Sequence, residues 1–133
     1  MRGFIPYSNE DGRVPPWEWL PCSAITPKLG MALVQSSGKL AIATGTTKPT
    51  YISMCEKSAA VSAGDIIPVI AVQPDQIFEC TNSASLADVN IGSKVTLHAS
   101  NGLQITATTS SGVARLVAKD GDASGSRCLV KFD

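Results

Sequence analysis

The chain has little charge and no long apolar run, and both shortages exclude classes of partner. Its 11 basic and 11 acidic side chains give a formal net charge of zero, so it lacks the excess of Lys and Arg that a nucleic-acid or anionic-membrane surface requires. The longest apolar runs are about six residues, much shorter than a membrane span. The segment from Met1 to Leu20 contains no apolar stretch of the signal-peptide kind. We therefore expect no nucleic acid and no membrane among its partners, and the cytoplasm as its default compartment.

Cysteine is scattered and histidine is nearly absent, which limits the chemistry of the chain. The 4 cysteines are Cys22, Cys55, Cys80 and Cys128. No two of them have the short spacing that begins a zinc site, so we expect reduced, buried thiols, with disulfides only in an oxidising medium. The 1 histidine, His98, alternates with Lys94 and Thr96 on the polar face of a predicted strand. An exposed strand histidine without a catalytic partner is the expected result.

One acidic segment, Asp120–Gly125, begins like a calcium-binding loop. Such a loop needs a bidentate carboxylate at its twelfth position, and here that position is Lys131. The sequence also contains no nucleophile elbow and no complete phosphate-binding loop. We therefore expect no catalytic residue, no metal site and no cofactor, and we predict that the protein is not an enzyme.

Proline divides the chain into two parts. Five of the 8 prolines lie in the first 28 residues, where each one removes a backbone donor and fixes φ. The sequence therefore predicts an extended arm over residues 1–28 and a β domain over residues 29–133. The arm also carries Phe4, Tyr7, Trp17 and Trp19, and large rings on an extended segment are costly to leave in water. These rings must fold back on the β domain or insert into a neighbour.

From Gly30 onward the pattern is that of β-strands. Short runs rich in Val, Ile and Thr alternate with Gly, Ser, Asn and Asp clusters, without amphipathic helices. The predicted runs are Met31–Gln35, Lys39–Thr44, Thr50–Cys55, Ile66–Gln73, Gln76–Thr81, Lys94–Ala99, Leu103–Thr108, Val113–Lys119 and Arg127–Phe132. The fold class is therefore all-β, a single small domain resembling a compact barrel or a sandwich.

Two turns can be predicted in detail. In Lys94–Thr108 the apolar residues share one face only if the hairpin has a three-residue loop, Ser100–Gly102, with its glycine in the left-handed conformation. The predicted pairs are Ala99–Leu103, Leu97–Ile105 and Val95–Ala107. Ser37–Gly38, by contrast, fits a two-residue turn that sets Leu33 opposite Ile42.

Seven short motifs follow one another along the β domain. They are Gly30–Val34, Gly38–Leu40, Lys48–Ser53, Ala63–Asp65, Pro68–Val69, Pro74–Glu79 and Ile91–Val95. In this order they resemble the cement or head-decoration proteins of tailed bacteriophages, over roughly residues 17 to 132. The resemblance implies a compact β domain with an extended N-terminal segment that binds the outside of the mature capsid. It also implies trimers at local threefold positions that clamp adjacent subunits of the major capsid protein.

The density of apolar residues in an arm that cannot fold by itself makes them the expected partner-binding residues, and the resemblance implies the identity of the partner. These residues are Phe4, Tyr7, Trp17, Trp19 and Leu20. We expect them to contact the major capsid protein or a neighbouring copy in a homotrimer, on the outer capsid surface of a virion assembled in the host cytoplasm. Because the arm is predicted to lie outside the β domain, removal of residues 1–21 should leave that domain folded but unable to bind capsids.

Three alternatives stay open at this point. The aromatic rings could close one end of the chain's own barrel. The domain could be a virion-surface module that displays loops for a host-surface glycan or another ligand, although loops such as Asn101–Gly102 and Asp120–Ser126 carry no aromatic residue. It could also be an enzyme such as a barrel hydrolase, but no convergent set of His, Cys and carboxylate residues supports that reading.

Overall fold

The computed structural model describes residues 2–9, 12–13 and 15–133. Eleven β-strands form over these residues. They are β1 (Ile5–Asn9), β2 (Trp17–Pro21), β3 (Ala32–Ser36), β4 (Lys39–Ile42), β5 (Tyr51–Ser53), β6 (Ile66–Ala71), β7 (Gln76–Asn82), β8 (Lys94–Val95), β9 (Gln104–Ile105), β10 (Ala114–Lys119) and β11 (Arg127–Lys131). Each of the nine predicted runs overlaps one of the strands β3 to β11, which confirms the all-β fold. In the described ranges there is no helix long and apolar enough to cross a membrane.

The strands form two sheets that pack as a small β-sandwich. The first sheet has the order β1-β7-β11-β10-β8, with antiparallel pairs throughout, and β9 adds to β7 in parallel. The second sheet has the order β2-β6-β5-β3-β4 and is also antiparallel. Its two edges approach each other, because Cys22 forms a bridge with Leu40 and the Ser23 N–H donates to the Leu40 carbonyl at 2.9 Å. The second sheet therefore curls around its own apolar contents.

The curled sheet gives the molecule two apolar clusters. The first core cluster lies between the sheets and includes Phe78 and Ile70, while the second core cluster lies within the curl of the second sheet and includes Ile67 and Val69. Alternate residues of β6 therefore enter different clusters, which explains why this strand is apolar on both faces. Pro68 is tolerated in this interior strand because it lies beside the end of β5, where its carbonyl accepts the Met54 N–H at 2.9 Å.

The segment predicted as an arm is extended, but it belongs to the sheets. Strand β1 pairs with β7 at the edge of the first sheet, and β2 pairs with β6 at the edge of the second. Edge strands tolerate proline because only one side of the backbone must pair. Of the predicted arm, Met1, Glu10, Asp11 and Val14 lie outside the described residues.

The expectation for Phe4 is wrong. We expected it to contact a partner, but it is 0% exposed in the first core cluster. The backbone beside it is also anchored, because the Gly3 N–H donates to the Leu29 carbonyl at 2.8 Å and the Phe4 N–H donates to the Gly30 carbonyl at 2.6 Å. Removal of residues 1–21 would therefore take a core side chain and two edge strands, so the β domain is not expected to stay intact without them.

Both predicted turns are present. Leu33 lies opposite Ile42, and the two turn residues Ser37 and Gly38 have positive φ values of 52° and 79°, as a two-residue hairpin turn requires. Register in this hairpin is thus set by the turn and by the apolar pattern together.

The second hairpin has the predicted register at its tip and a shifted register at its base. Gly102 has a φ of 64° and Leu97 lies opposite Ile105, as predicted. The predicted regular register does not continue to Val95 and Ala107, because the Thr96 carbonyl accepts the Thr106 N–H at 2.9 Å whereas the Thr96 N–H donates to the Thr108 carbonyl at 3.0 Å. On its other edge, β8 pairs with β10, and Val95 lies opposite Ala114.

Candidate partner-binding surface

Strand β2 places both tryptophans on one face. Successive side chains point to opposite sides of a strand, so Trp17 and Trp19 share one side and Glu18 and Leu20 share the other. Residues directly opposite in an antiparallel pair lie on the same face, so the pairs with β6 extend this surface. Its members are Trp17, Trp19, Pro21, Ile66 and Pro68, which we call the tryptophan face.

The tryptophan face is apolar and open to solvent. Trp17 is 56% exposed, Trp19 62% and Ile66 61%. Ile70, which lies opposite Trp17 on the same face, is only 2% exposed because it enters the first core cluster. The tryptophan face is therefore the part of this sheet surface that the first sheet leaves uncovered. Contiguous exposed apolar patches of this kind mark interaction sites in soluble domains.

The backbone of β2 has a hydrogen-bonding edge that the fold leaves open. The Cys22 N–H donates to the Asp65 carbonyl of the neighbouring chain segment at 2.9 Å. Because bonded and non-bonded positions alternate in an antiparallel pair, the even-numbered residues of β2 bond to β6. The N–H and C=O groups of Trp17 and Trp19 point outward, and no described strand pairs with them, because β4 bonds to the chain only after β2, at Cys22 and Ser23. Such an edge is a template for another extended segment.

Prolines restrict this open edge to two donors. Pro21 occupies the next outward position and has no N–H, and Pro15 lies two residues before Trp17. An extended segment that joins β2 thus finds the N–H groups of Trp17 and Trp19 and their two carbonyl groups. The short length of the edge limits unwanted pairing, as edge strands generally require.

Glu18 is the charged residue of the open edge. It lies opposite Val69 on the other side of β2 and is half-buried. No ion pair joins it to any basic side chain in the part of the chain that the structure describes. A residue placed directly across from Glu18 by an added strand would lie about 5 Å away between Cβ atoms. A basic residue is favoured at that position and an acidic one is disfavoured.

The five predicted partner-binding residues do not form one surface. Trp17 and Trp19 lie together and exposed, as described above. Leu20 is half-buried and packs against the second core cluster. Tyr7 is 54% exposed at a bulge of β1, in the other sheet, where the Arg127 guanidinium lies 5.8 Å from its ring centroid. Because Trp17 and Trp19 are exposed, they are not sealed within their own subunit, and the alternative in which they close the chain's own barrel is excluded.

Sequence reasoning missed Ile66 and Pro68 as members of the surface. The signal for them was the apolar pattern on both faces of Ile66–Val72, which requires cover on both sides. Ile66 lies opposite Pro21 and is 61% exposed, so one side of it receives no cover from the described residues. Strand β6 thus has more apolar residues than the core can bury, and this surplus indicates a contact surface.

The outer face of the first sheet differs from the tryptophan face, because its charged side chains form ion pairs with one another. The Asp133 carboxylate lies 2.9 Å from the Arg115 Nε and 3.8 Å from the Lys94 Nζ, and the Arg127 Nε lies 2.9 Å from the Glu79 Oε1. Partial burial raises the pKa of Asp133, but the hydrogen bond and charge of Arg115 and the charge of Lys94 outweigh it, so this pKa lies below its ordinary value. A surface with internally matched charges offers little electrostatic attraction to a partner.

His98 has a local structural role. Its Nδ1 accepts the backbone N–H groups of Ser100 and Asn101 at 3.1 and 3.2 Å, which supports the predicted loop. Across residues 2–9, 12–13 and 15–133, no group of three or more His, Cys, Asp or Glu side chains could hold a metal ion. The tryptophan face with the open edge of β2 is accordingly the best-supported candidate site.

Comparison with known proteins gives no assignment: no protein-family model matches the chain, and no curated protein matches its sequence.

Proposed function

We propose that this protein is a capsid decoration protein of a tailed bacteriophage. In this proposal it binds the outer surface of the mature head as a homotrimer, clamps adjacent major capsid protein subunits and stabilises the shell. The observation that carries the proposal is the exposed tryptophan face beside the open edge of β2. The resemblance of the sequence motifs to the decoration family supplies the identity of the partner.

The tryptophan face supports a protein partner on energetic grounds. Burying the exposed half of one indole, about 100 Å², contributes about 2–3 kcal/mol. Two indoles and Ile66 together therefore give a compact apolar anchor of the kind that dominates binding at protein interfaces. The rings are held on a paired strand, so little conformational entropy is lost when they are covered.

The open edge supports an extended polypeptide as the partner. A strand of the major capsid protein that adds to β2 would bond to the outward N–H and C=O groups of Trp17 and Trp19. Its alternate side chains would then cover the tryptophan face, and the position beside Glu18 would take a basic residue. A second copy is disfavoured at this edge. If β2 paired antiparallel with β2 of another copy so that Trp17 of each lay opposite Trp19 of the other, the two Glu18 side chains would lie opposite each other, and like charges repel. We therefore place the contacts of the homotrimer on other surfaces.

Several copies of the same contact in one homotrimer would strengthen a modest single contact. A homotrimer touches several capsid subunits at once, so each further contact forms at a high effective concentration. The formal net charge of zero also suits a shell protein that does not meet the packaged genome.

The test uses capsids that lack the protein. The unmodified protein, the double variant Trp17→Ala/Trp19→Ala and the control Ile91→Ala are added to them, and copy number and heat resistance of the particles are measured. Ile91 is a suitable control because it is 54% exposed but lies outside the tryptophan face. We expect saturation and increased heat resistance with the unmodified protein and the control, and at least tenfold weaker binding with the double variant. Saturation of capsids by the double variant would refute the proposal.

Glycan binding is the second candidate, because exposed indoles stack on sugar rings. The open backbone edge beside the tryptophans favours a polypeptide over a glycan, since a sugar has no use for a strand edge. Binding to a panel of host-surface glycans that Trp17→Ala/Trp19→Ala abolishes, combined with no binding to capsids, would support this second candidate instead.

A further inference from the structure

Two of the four cysteines lie directly opposite each other in the first sheet. Cys80 of β7 pairs in register with Cys128 of β11, and their Sγ atoms are 3.5 Å apart. Both side chains point into the first core cluster, where they are 3% and 2% exposed. Paired positions on neighbouring strands have the Cα separation that a disulfide bridges.

The remaining cysteines occupy a different part of the molecule. Cys22 and Cys55 contribute to the second core cluster, inside the curled sheet. Four cysteines allow three complete pairings. Only the pairing that joins Cys80 to Cys128 links residues already in register on adjacent strands.

We propose that Cys80 and Cys128 are a disulfide site, which is reduced in the cytoplasm and oxidised when the chain meets a low-molecular-weight disulfide such as oxidised glutathione. The thiolate of one cysteine attacks one glutathione sulfur and releases one glutathione thiolate. The thiolate of the other cysteine then attacks the protein sulfur of the mixed disulfide and releases the second. Two thiols and one oxidised glutathione give one protein disulfide and two reduced glutathione molecules. This inference does not depend on the proposed function.

The environment of the pair keeps both thiols protonated while the first sheet is closed. Burial, followed by the hydrogen bond with Cys128, raises the pKa of Cys80 well above its ordinary value. The Cys128 Sγ lies 3.5 Å from both the Cys80 Sγ and the Cys80 carbonyl, so the two thiols contact each other inside the core. Because both sulfurs are buried, the exchange takes place during folding or during transient opening of the first sheet.

The disulfide would join two interior strands of the first sheet. It would close a loop with a sequence separation of 48 residues, which contains β8, β9 and β10. Cross-linking across such a loop restricts the unfolded chain, so the oxidised protein should unfold at a higher temperature than the reduced protein.

The experiment compares oxidised and reduced protein directly. The full chain is unfolded, refolded in a glutathione redox buffer, alkylated and digested for mass spectrometry. A parallel native sample is held in the same buffer just below its unfolding temperature, so the result does not depend on refolding yield. We expect one cross-linked peptide pair that joins Cys80 to Cys128 and is lighter by two hydrogen atoms than the two reduced peptides together. The oxidised protein should unfold at a higher temperature than the reduced protein. Cys22 and Cys55 should be alkylated after denaturation.

The controls separate this pairing from others. The variant Cys22→Ser/Cys55→Ser should still form the cross-link, and Cys128→Ser should not form it. Four alkylated thiols in both oxidised samples, or a cross-link between any other two cysteines, would overturn the inference.

Discussion

The ring of Phe4 packs edge-on against the ring of Phe132, with centroids 5.2 Å apart and an interplanar angle of 70°. Phe78 lies beside Phe132 with a centroid distance of 5.6 Å. Residues near both ends of the sequence thus meet in the first core cluster. A core side chain therefore holds the chain just before β1, whereas the pairing of β2 with β6 holds the two tryptophans.

Phe4→Ala should destabilise the protein by about 3–5 kcal/mol, because it removes a fully buried ring and leaves a cavity. Tyr7→Ala, three residues further along the chain in β1, is the matched control. It loses an exposed ring and one cation–π contact with Arg127, so its cost should be about 1 kcal/mol or less. Denaturant unfolding measures both. Equal costs for the two variants would contradict the assignment of Phe4 to the core.

Gly102→Ala should be more destabilising than Gly38→Ala. Both glycines have positive φ, so both variants incur the cost of a left-handed alanine, about 1–2 kcal/mol. At Gly102 a Cβ atom would also lie 2.7 Å from the Ile42 Cγ2 atom, whereas at Gly38 it would meet open space. We expect a difference of about 1–3 kcal/mol between the variants, measured by thermal and denaturant unfolding. If both variants lose the same stability, the hairpin loop does not pack against β4 as described.

Gln76→Met should stabilise the protein by about 1–3 kcal/mol. Gln76 is 1% exposed, and neither polar atom of its side chain has a hydrogen-bond partner among the described residues. Methionine has a similar shape without the cost of burying an unpaired amide. Gln35→Met, at an exposed position of β3, is the control and should change stability little. A destabilised Gln76→Met variant would show that the amide is satisfied in solution.

Asp133 should contribute to stability at neutral pH and lose that contribution in acid. Its pKa is lowered in the folded state, so the stabilisation is present above the pKa of the unfolded chain and disappears as pH falls through the folded value. The effect should be about 1 kcal/mol or less, because the side chain is about one-third exposed. Between about pH 7 and pH 3, Asp133→Asn should therefore lose less stability than the unmodified protein. A control, Asp88→Asn at an exposed turn, should follow the unmodified protein.

Local alternation was enough to predict strands β3 to β11 and both turns, because side-chain period and turn chemistry act over a few residues. It could not separate Phe4 from Trp17 and Trp19, since all three are apolar residues of one extended, proline-rich segment. Proline excludes a central strand but permits an edge strand, and only the three-dimensional packing decides which edge is available. Local patterning also did not reveal the register shift at Ala107 or the pairing of Val95 with Ala114 of β10.

The central claim is that β2 and its tryptophan face are the surface by which the protein is fastened to a capsid. A three-dimensional reconstruction of the decorated particle tests it most directly. The account predicts density for an extended capsid segment alongside Trp17–Trp19, with both indoles covered and a basic side chain next to Glu18. Indoles facing solvent in the bound protein, with contacts made only through the charged face of the first sheet, would contradict it.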